Sequence, residues 1–259
     1  MKNYLFILIL FPLLLQAQEA RTSASVKDST KVKANLSLTG FWQSGNVETL
    51  IFRAKSDLEF KTWKKAVFKT QNSYVYQEFG KAKADEDILS LNFLYFNPER
   101  RIYPQLLGFV STNFRREINL RYLLGAGATY QVIQGEERWL KMSLTAEYEH
   151  TDYKRKDFNR DEFDGNSAIN TFRGTVWLNG RYPIFKKKMI LTHESFFQPS
   201  LSQKRNFRWR ADFGLEFPVW TFLNLKVNYL RTFESLVIEG QQRKDRFLTF
   251  GFTLKNTKY

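Results

Sequence analysis

Between Asn206 and Phe217 the chain changes character at every residue. Phe207, Trp209, Ala211, Phe213, Leu215 and Phe217 are apolar, while Arg208, Arg210, Asp212, Gly214 and Glu216 between them are charged or small. Successive side chains of a strand point to opposite sides, so a period of two with one apolar and one charged face predicts an extended strand. The pattern recurs. Leu140, Met142, Leu144, Ala146 and Tyr148 alternate with Lys141, Ser143, Thr145, Glu147 and Glu149; Phe52, Ala54, Ser56, Leu58 and Phe60 alternate with Arg53, Lys55, Asp57, Glu59 and Lys61. Phe172, Val176, Leu178 and Tyr182 face away from Arg173, Thr175, Asn179 and Arg181. No helical segment stands ready to cover these apolar faces. The reading that satisfies both faces puts lipid against the apolar side and closes the charged side into the inside of a barrel.

The remaining runs complete the count. Ala34 to Trp42 opens the series, Phe68, Tyr74 and Tyr76 mark the third run, and Leu89, Leu91, Phe93 and Tyr95 the fourth. Leu106 to Phe114, Arg121 to Gln131, Met189 to Phe197, Leu223 to Tyr229 and Leu248 to Leu254 supply the others. Gly125 and Gly127 sit inside the sixth run, where strand glycines leave room for close neighbours. Tight joins at Trp63 to Lys65, Pro98 to Arg101, Gln134 to Glu137, Pro183 to Lys188 and Pro218 to Thr221 alternate with longer ones. The longer joins are Phe79 to Asp87, Asp152 to Ser167, Gln198 to Arg205 and Glu234 to Lys244. Short turns at one end and long loops at the other predict an all-β, transmembrane antiparallel up-and-down β-barrel of twelve strands, with ten as the alternative count.

Composition narrows the class. The chain has 259 residues, 43% apolar and 17% aromatic, with a mean hydropathy of -0.44. That polarity excludes a bundle of membrane helices, which need about 20 consecutive apolar residues each. Lys2 followed by the apolar run Tyr4 to Leu15 and a small Ala17 reads as a signal peptide over residues 1–17. Residues 18–32 form a polar lead-in, and residues 33–259 the barrel. Cys is absent, which suits an oxidising compartment and excludes a Cys-linked lipid anchor. The expected location is the outer membrane of a Gram-negative envelope, reached by secretion through the inner membrane.

Ser44-Gly45-Asn46-Val47-Glu48-Thr49-Leu50 with Ala54, Asp57 and Leu58 resembles the opening hairpin of the salt-induced outer-membrane protein family, domain of unknown function 481. Arg121 to Gly127 is similar to that family's central Gly-containing strand, and His193 to Leu201 to a later strand and loop. The resemblance spans about Leu36 to Leu254 and implies an outer-membrane barrel. It transfers no functional residue, because the family carries no agreed activity. The chain ends in Tyr259, so recognition by the barrel-insertion machinery falls to Tyr259 or to Phe250 and Phe252.

Candidate chemistry is sparse. His150 and His193 are the only histidines. His193 and Ser195 share a strand face, a spacing similar to that of outer-membrane phospholipase A, and Asn206 would complete a triad. Parity opposes it, since Asn206 falls on the face of Arg208 and Arg210. A lipid hydrolase is therefore the alternative reading and a non-enzymatic barrel the main one. Asp157, Asn159, Asp161, Glu162 and Asp164 crowd one loop, but Glu162 stands where a calcium loop needs its glycine. No cofactor motif is present. The net charge of +14 points to lipopolysaccharide phosphates at basic loop ends such as Arg115, Arg116, Lys204 and Arg205, or to a basic interior, rather than to nucleic acid. The interior set expected from parity is Arg53, Lys55, Asp57, Glu59, Arg121, Arg173, Arg208, Arg210 and Asp212, partly salt-bridged. Such an interior makes the barrel structural, or a narrow anion-favouring pore. Oligomeric state is left open by the sequence.

Overall fold

The computed structural model describes residues 32–254 except 46, 47, 64, 136, 221 and 222, and gives the backbone alone for 32–41, 53, 55, 57, 62, 63, 223, 247 and 249–254. Twelve strands follow one another: β1 (Val32–Gln43), β2 (Thr49–Trp63), β3 (Ala66–Phe79), β4 (Ala82–Phe96), β5 (Ile102–Asn113), β6 (Ile118–Ile133), β7 (Trp139–Tyr153), β8 (Ala168–Ile184), β9 (Met189–Pro199), β10 (Phe207–Trp220), β11 (Leu223–Glu234) and β12 (Lys244–Leu254). The sheet order is the chain order, β1 to β12. Each strand lies antiparallel to the next, as in β6 with β7 and β10 with β11. The sheet is rolled: side chains from β3, β5, β7 and β9 line one shared cavity. The chain is thus an antiparallel up-and-down β-barrel of twelve strands.

Alternation along β7 shows the two faces. Lys141, Ser143, Thr145, Glu147, Glu149 and Thr151 are buried, while Leu144, Ala146 and Tyr148 between them are exposed. Outward apolar side chains elsewhere are equally bare, among them Leu124 at 63% exposure, Phe172 at 58% and Phe213 at 44%. A soluble sandwich would reverse this arrangement, burying the apolar face and wetting the charged one. No helix among the described residues is long and apolar enough to cross a membrane.

Two expectations from the sequence need correction. Phe79 to Asp87 is no loop: Gly80 and Lys81 alone make the turn, with φ of 57° and 65°, and β4 starts at Ala82. Two successive positive φ values fit the right-handed twist of a two-residue hairpin. Of the charged residues after it, Asp85 is buried against Arg115 at 3.1 Å, while Lys83 and Glu86 form an exposed pair at 2.7 Å. Leu91, Phe93 and Tyr95 of β4 also face inward rather than outward, while Ile88 stays on the outer face at 48% exposure. Phe93 and Tyr95 are buried with Val67, Tyr103 and Leu107 in one interior cluster. Their outward neighbours Ser90 and Asn92 hydrogen bond to each other (3.0 Å), as Thr70 and Asn72 do on β3 (3.1 Å).

The long loops gather at one end. Residues 154–167 and 235–243 pair through the bridge Phe158 to Ile238. Ile118, Tyr153, Phe158, Ile169, Leu236 and Ile238 form a second apolar cluster beneath them. This double loop roofs one side of the barrel mouth.

Candidate functional site

Inward parity on β6, β7, β8, β10 and β11 brings Arg121, Glu149, Arg173, Arg208 and Glu234 to the loop-side half of the interior. Glu149, only 2% exposed, lies at the centre. Arg173 grips it with both prongs, Nε to Oε2 at 2.8 Å and Nη2 to Oε1 at 2.9 Å. Arg208 Nη2 donates to Oε2 at 2.6 Å, Thr151 Oγ1 donates to Oε1 at 3.1 Å, and Arg121 Nε stands 3.9 Å away. Arg121 in turn forks onto Glu234, with both bonds 3.1 Å long. Arg116, in the turn before β6, lies 3.8 Å from Glu234 and hydrogen bonds Asp245 of β12. A continuous chain of alternating charge therefore runs from the mouth at Asp245 down to Glu149.

Polar groups extend the chain downward. Arg208 Nε donates to Gln198 Oε1, and Gln198 Nε2 donates to Thr175 Oγ1 at 2.6 Å. Thr175 Oγ1 then donates to Glu147 at 2.8 Å, and Trp177 Nε1 donates to Thr145 at 3.3 Å. Gly125 and Gly127 make room for this row. A Cβ on Gly127 would stand 2.0 Å from the Leu144 carbonyl oxygen, and one on Gly125 would stand 2.6 Å from Glu147 Cγ. A network of this kind rigidifies a low-dielectric interior, because each charge is worth more there, and the buried Nη1 atoms of Arg116 and Arg208, without a partner among the described residues, are its weak points.

Below it the interior turns aromatic. Phe93 stacks on Tyr95 (5.7 Å, 6°), which meets Tyr103 edge-on (5.9 Å, 83°). Lys141 Nζ lies 5.8 Å from the Tyr103 ring and the same distance from Trp139. The cavity among Tyr95, Tyr103, Lys141, Trp177 and Glu194 holds about 30 Å³. That is space for a water or two.

Of the residues expected inside, Arg121, Arg173 and Arg208 meet at Glu149. Arg210 and Asp212 pair within β10 at 2.8 Å, and Asn228 also donates to Asp212 at 2.9 Å. Glu59 faces Lys69 across the β2–β3 ladder and is half-buried. The side chains of Arg53, Lys55 and Asp57, and the signal peptide over residues 1–17, lie outside the described residues. Glu234 and Glu194 were missed as interior acids. Glu234 falls in the Glu234 to Lys244 join by sequence, yet it continues the inward parity of Lys226 and pairs with Arg208 in register. Their presence makes the interior less basic than the sequence pattern implies.

His193 and Ser195 point outward beside Phe213 and Ala211. His193 Nε2 sits 3.2 Å from the Tyr182 hydroxyl, its ring stacked on that tyrosine at 5.7 Å. Asn206 is on the opposite face, where its Oδ1 accepts from Arg173 at 3.1 Å. The acidic loop is likewise spent on its own architecture. Asp164 Oδ1 accepts the Phe158 amide (2.6 Å), Asp157 pairs with Arg155 (2.9 Å), and Asn159 binds Ser235 and Val237 backbone (3.1 Å each).

Among solved structures, the NanC porin aligns with a TM-score of 0.52 at 11% identity, over 86% of this chain and 100% of the porin. The translocator domain of the autotransporter NalP from Neisseria meningitidis aligns at 0.43 and 13% identity, over 89% and 90%. No curated protein matches the sequence. A family model, described as protein of unknown function, DUF481, matches residues 25–255. With nearly the whole strand-forming region matched, the chain belongs to the DUF481 family.

Proposed function

We propose that the protein is an integral outer-membrane β-barrel whose interior is filled rather than open, so that it serves the envelope as a structural barrel. The observation that carries this reading is the succession of two layers inside it. Among the described side chains, the Arg–Glu network around Glu149 packs the loop-side half, and the Tyr95–Tyr103 cluster packs the half beneath, around a cavity of about 30 Å³. The bare apolar outer wall supports insertion in lipid, and the leader over residues 1–17 supports secretion through the inner membrane.

A second reading, a narrow anion-favouring path, draws on Lys141. Its ammonium lines the cavity against two rings, with no carboxylate at ion-pair distance among the described residues. Catalysis forms no part of the proposal, since His193 engages Tyr182 and Asn206 faces the other way. Membrane fractionation with heat-modifiable gel migration tests the placement: recovery of the protein with soluble fractions would remove the basis of both readings. Recording across planar bilayers separates the two, because a structural barrel carries no steady current and an anion path shifts the reversal potential in a salt gradient.

A further inference from the structure

We propose that the outer wall of β10–β12, at its loop end, is a binding site for the phosphate of a lipid headgroup; this rests on the membrane placement above and adds a ligand site to it. Arg231 of β11 and Arg246 of β12 are direct partners in the ladder. Both share the outward parity of Tyr229 and Leu248, the next pair toward the middle of the wall, which are 39% and 59% exposed. Like charges directly opposite one another destabilise a sheet, and apolar surroundings strengthen the repulsion.

Two further cations crowd the same spot. Lys244 faces Phe233 one step nearer the mouth, and Arg243 lies with its guanidinium 5.0 Å from the Phe233 ring. Phe233 stacks on Trp209 (6.1 Å, 15°), and Arg231 covers Trp209 at 5.4 Å. Among the described residues, no carboxylate stands within ion-pair distance of Arg231, Arg243, Lys244 or Arg246. The one acid between them, Asp245, turns inward to Arg116.

The strand period explains the arrangement: in Lys244-Asp245-Arg246 it sends both bases outward and the acid inward. Four cations, of which Arg231 and Arg243 lie over the aromatic pair, stand at the edge of an apolar wall and call for an anion that is itself anchored at the membrane surface. A phosphate fits best, because guanidinium forks match its oxygens in pairs. An aromatic belt marks the headgroup level where such phosphates lie.

The test uses the full mature chain refolded in detergent, with purified bisphosphorylated lipid A as the probe and binding read by native mass spectrometry. Wild-type protein should retain lipid A, and millimolar inorganic phosphate should not displace it. Arg231→Gln with Arg246→Gln should weaken retention by about tenfold or more, the loss of two charge-assisted contacts. Arg246→Gln alone, at an exposed position that folding does not need, should weaken it by a smaller factor, and Lys188→Gln, exposed in the β8–β9 turn at the opposite end, should leave it unchanged. Unchanged retention in the double variant would overturn the site. Displacement by inorganic phosphate would overturn the lipid as its source. Wild-type protein that shows no heat-modifiable migration would overturn the membrane placement instead, a failure visible before any lipid is added.

Discussion

Arg121 on β6 holds Glu234 on β11 through two hydrogen bonds of 3.1 Å, although the residues are five strands apart along the sheet. Only the interior can bring them together. The pair therefore both reports the rolling of the sheet and closes the space that rolling creates.

Removing the hub of this network should be severe. Glu149→Ala leaves Arg121, Arg173 and Arg208 facing one another without their shared carboxylate. The expected loss is about 3–5 kcal/mol, typical of breaking one side of a buried ion pair. Urea unfolding of the refolded protein measures it, and wild-type stability would show that the network contributes nothing.

Glycine spacing gives a matched pair of variants. Gly127→Ala drives a methyl group into the Leu144 carbonyl oxygen, whereas Gly108→Ala meets only Leu124 Cδ2 at an ordinary 3.6 Å. The first should cost about 1–3 kcal/mol, as overpacking does. The second should be nearly neutral. Equal unfolding midpoints would contradict the close approach of β6 and β7.

Much of this was legible in the chain. The faces of β7 and β10 follow directly from parity, and the space-making role of Gly125 and Gly127 follows from glycines within a strand. The face of β4 did not follow, because Leu91, Phe93 and Tyr95 meet other apolar groups inside, and apolarity alone does not say which side of a barrel is dry. The Gly80–Lys81 hairpin reads as a loop because Lys81 to Asp87 carries charges and alanines with no large apolar residue to set a period of two. The hub was hidden for another reason. Each of its residues carries an inward signal, but the partnership of Arg121 with Glu234 joins positions 113 residues apart. No local pattern encodes such a contact.

The outer wall makes a further prediction. Phe213 is outward and exposed, so Phe213→Arg should cost about 2–4 kcal/mol if it lies near the bilayer midplane. Arg210→Ala, on the inward face, removes only a partly exposed pair with Asp212 and should assemble better. Refolding yield into lipid vesicles ranks the two, and equal yields would reverse the assignment of faces.

Acid should loosen the roof of the mouth. Arg155 donates to both oxygens of Glu117, at 2.6 and 3.1 Å, and Gln241 adds a third bond at 2.8 Å. The Arg155 hydrogen bonds hold the Glu117 carboxyl below its ordinary range, against burial, which pushes it up by more than the Gln241 hydrogen bond pulls it down. A pKa lowered on folding gives a contribution that is full above the unfolded value, about 4.3, and is lost as pH falls through the folded one. Proteolysis of residues 154–167 should therefore quicken below about pH 4. Glu117→Gln should abolish that dependence, and a rate that is flat from neutral to acid in wild type would refute the link.

The central claim is that the interior is closed by its own side chains, and single-channel recording across a planar bilayer tests it most directly. Wild-type protein should insert without steady open-channel current, while Glu149→Ala, with the hub removed, should give intermittent small openings. A steady open-channel current from the wild type, whichever ion it prefers, would contradict the account.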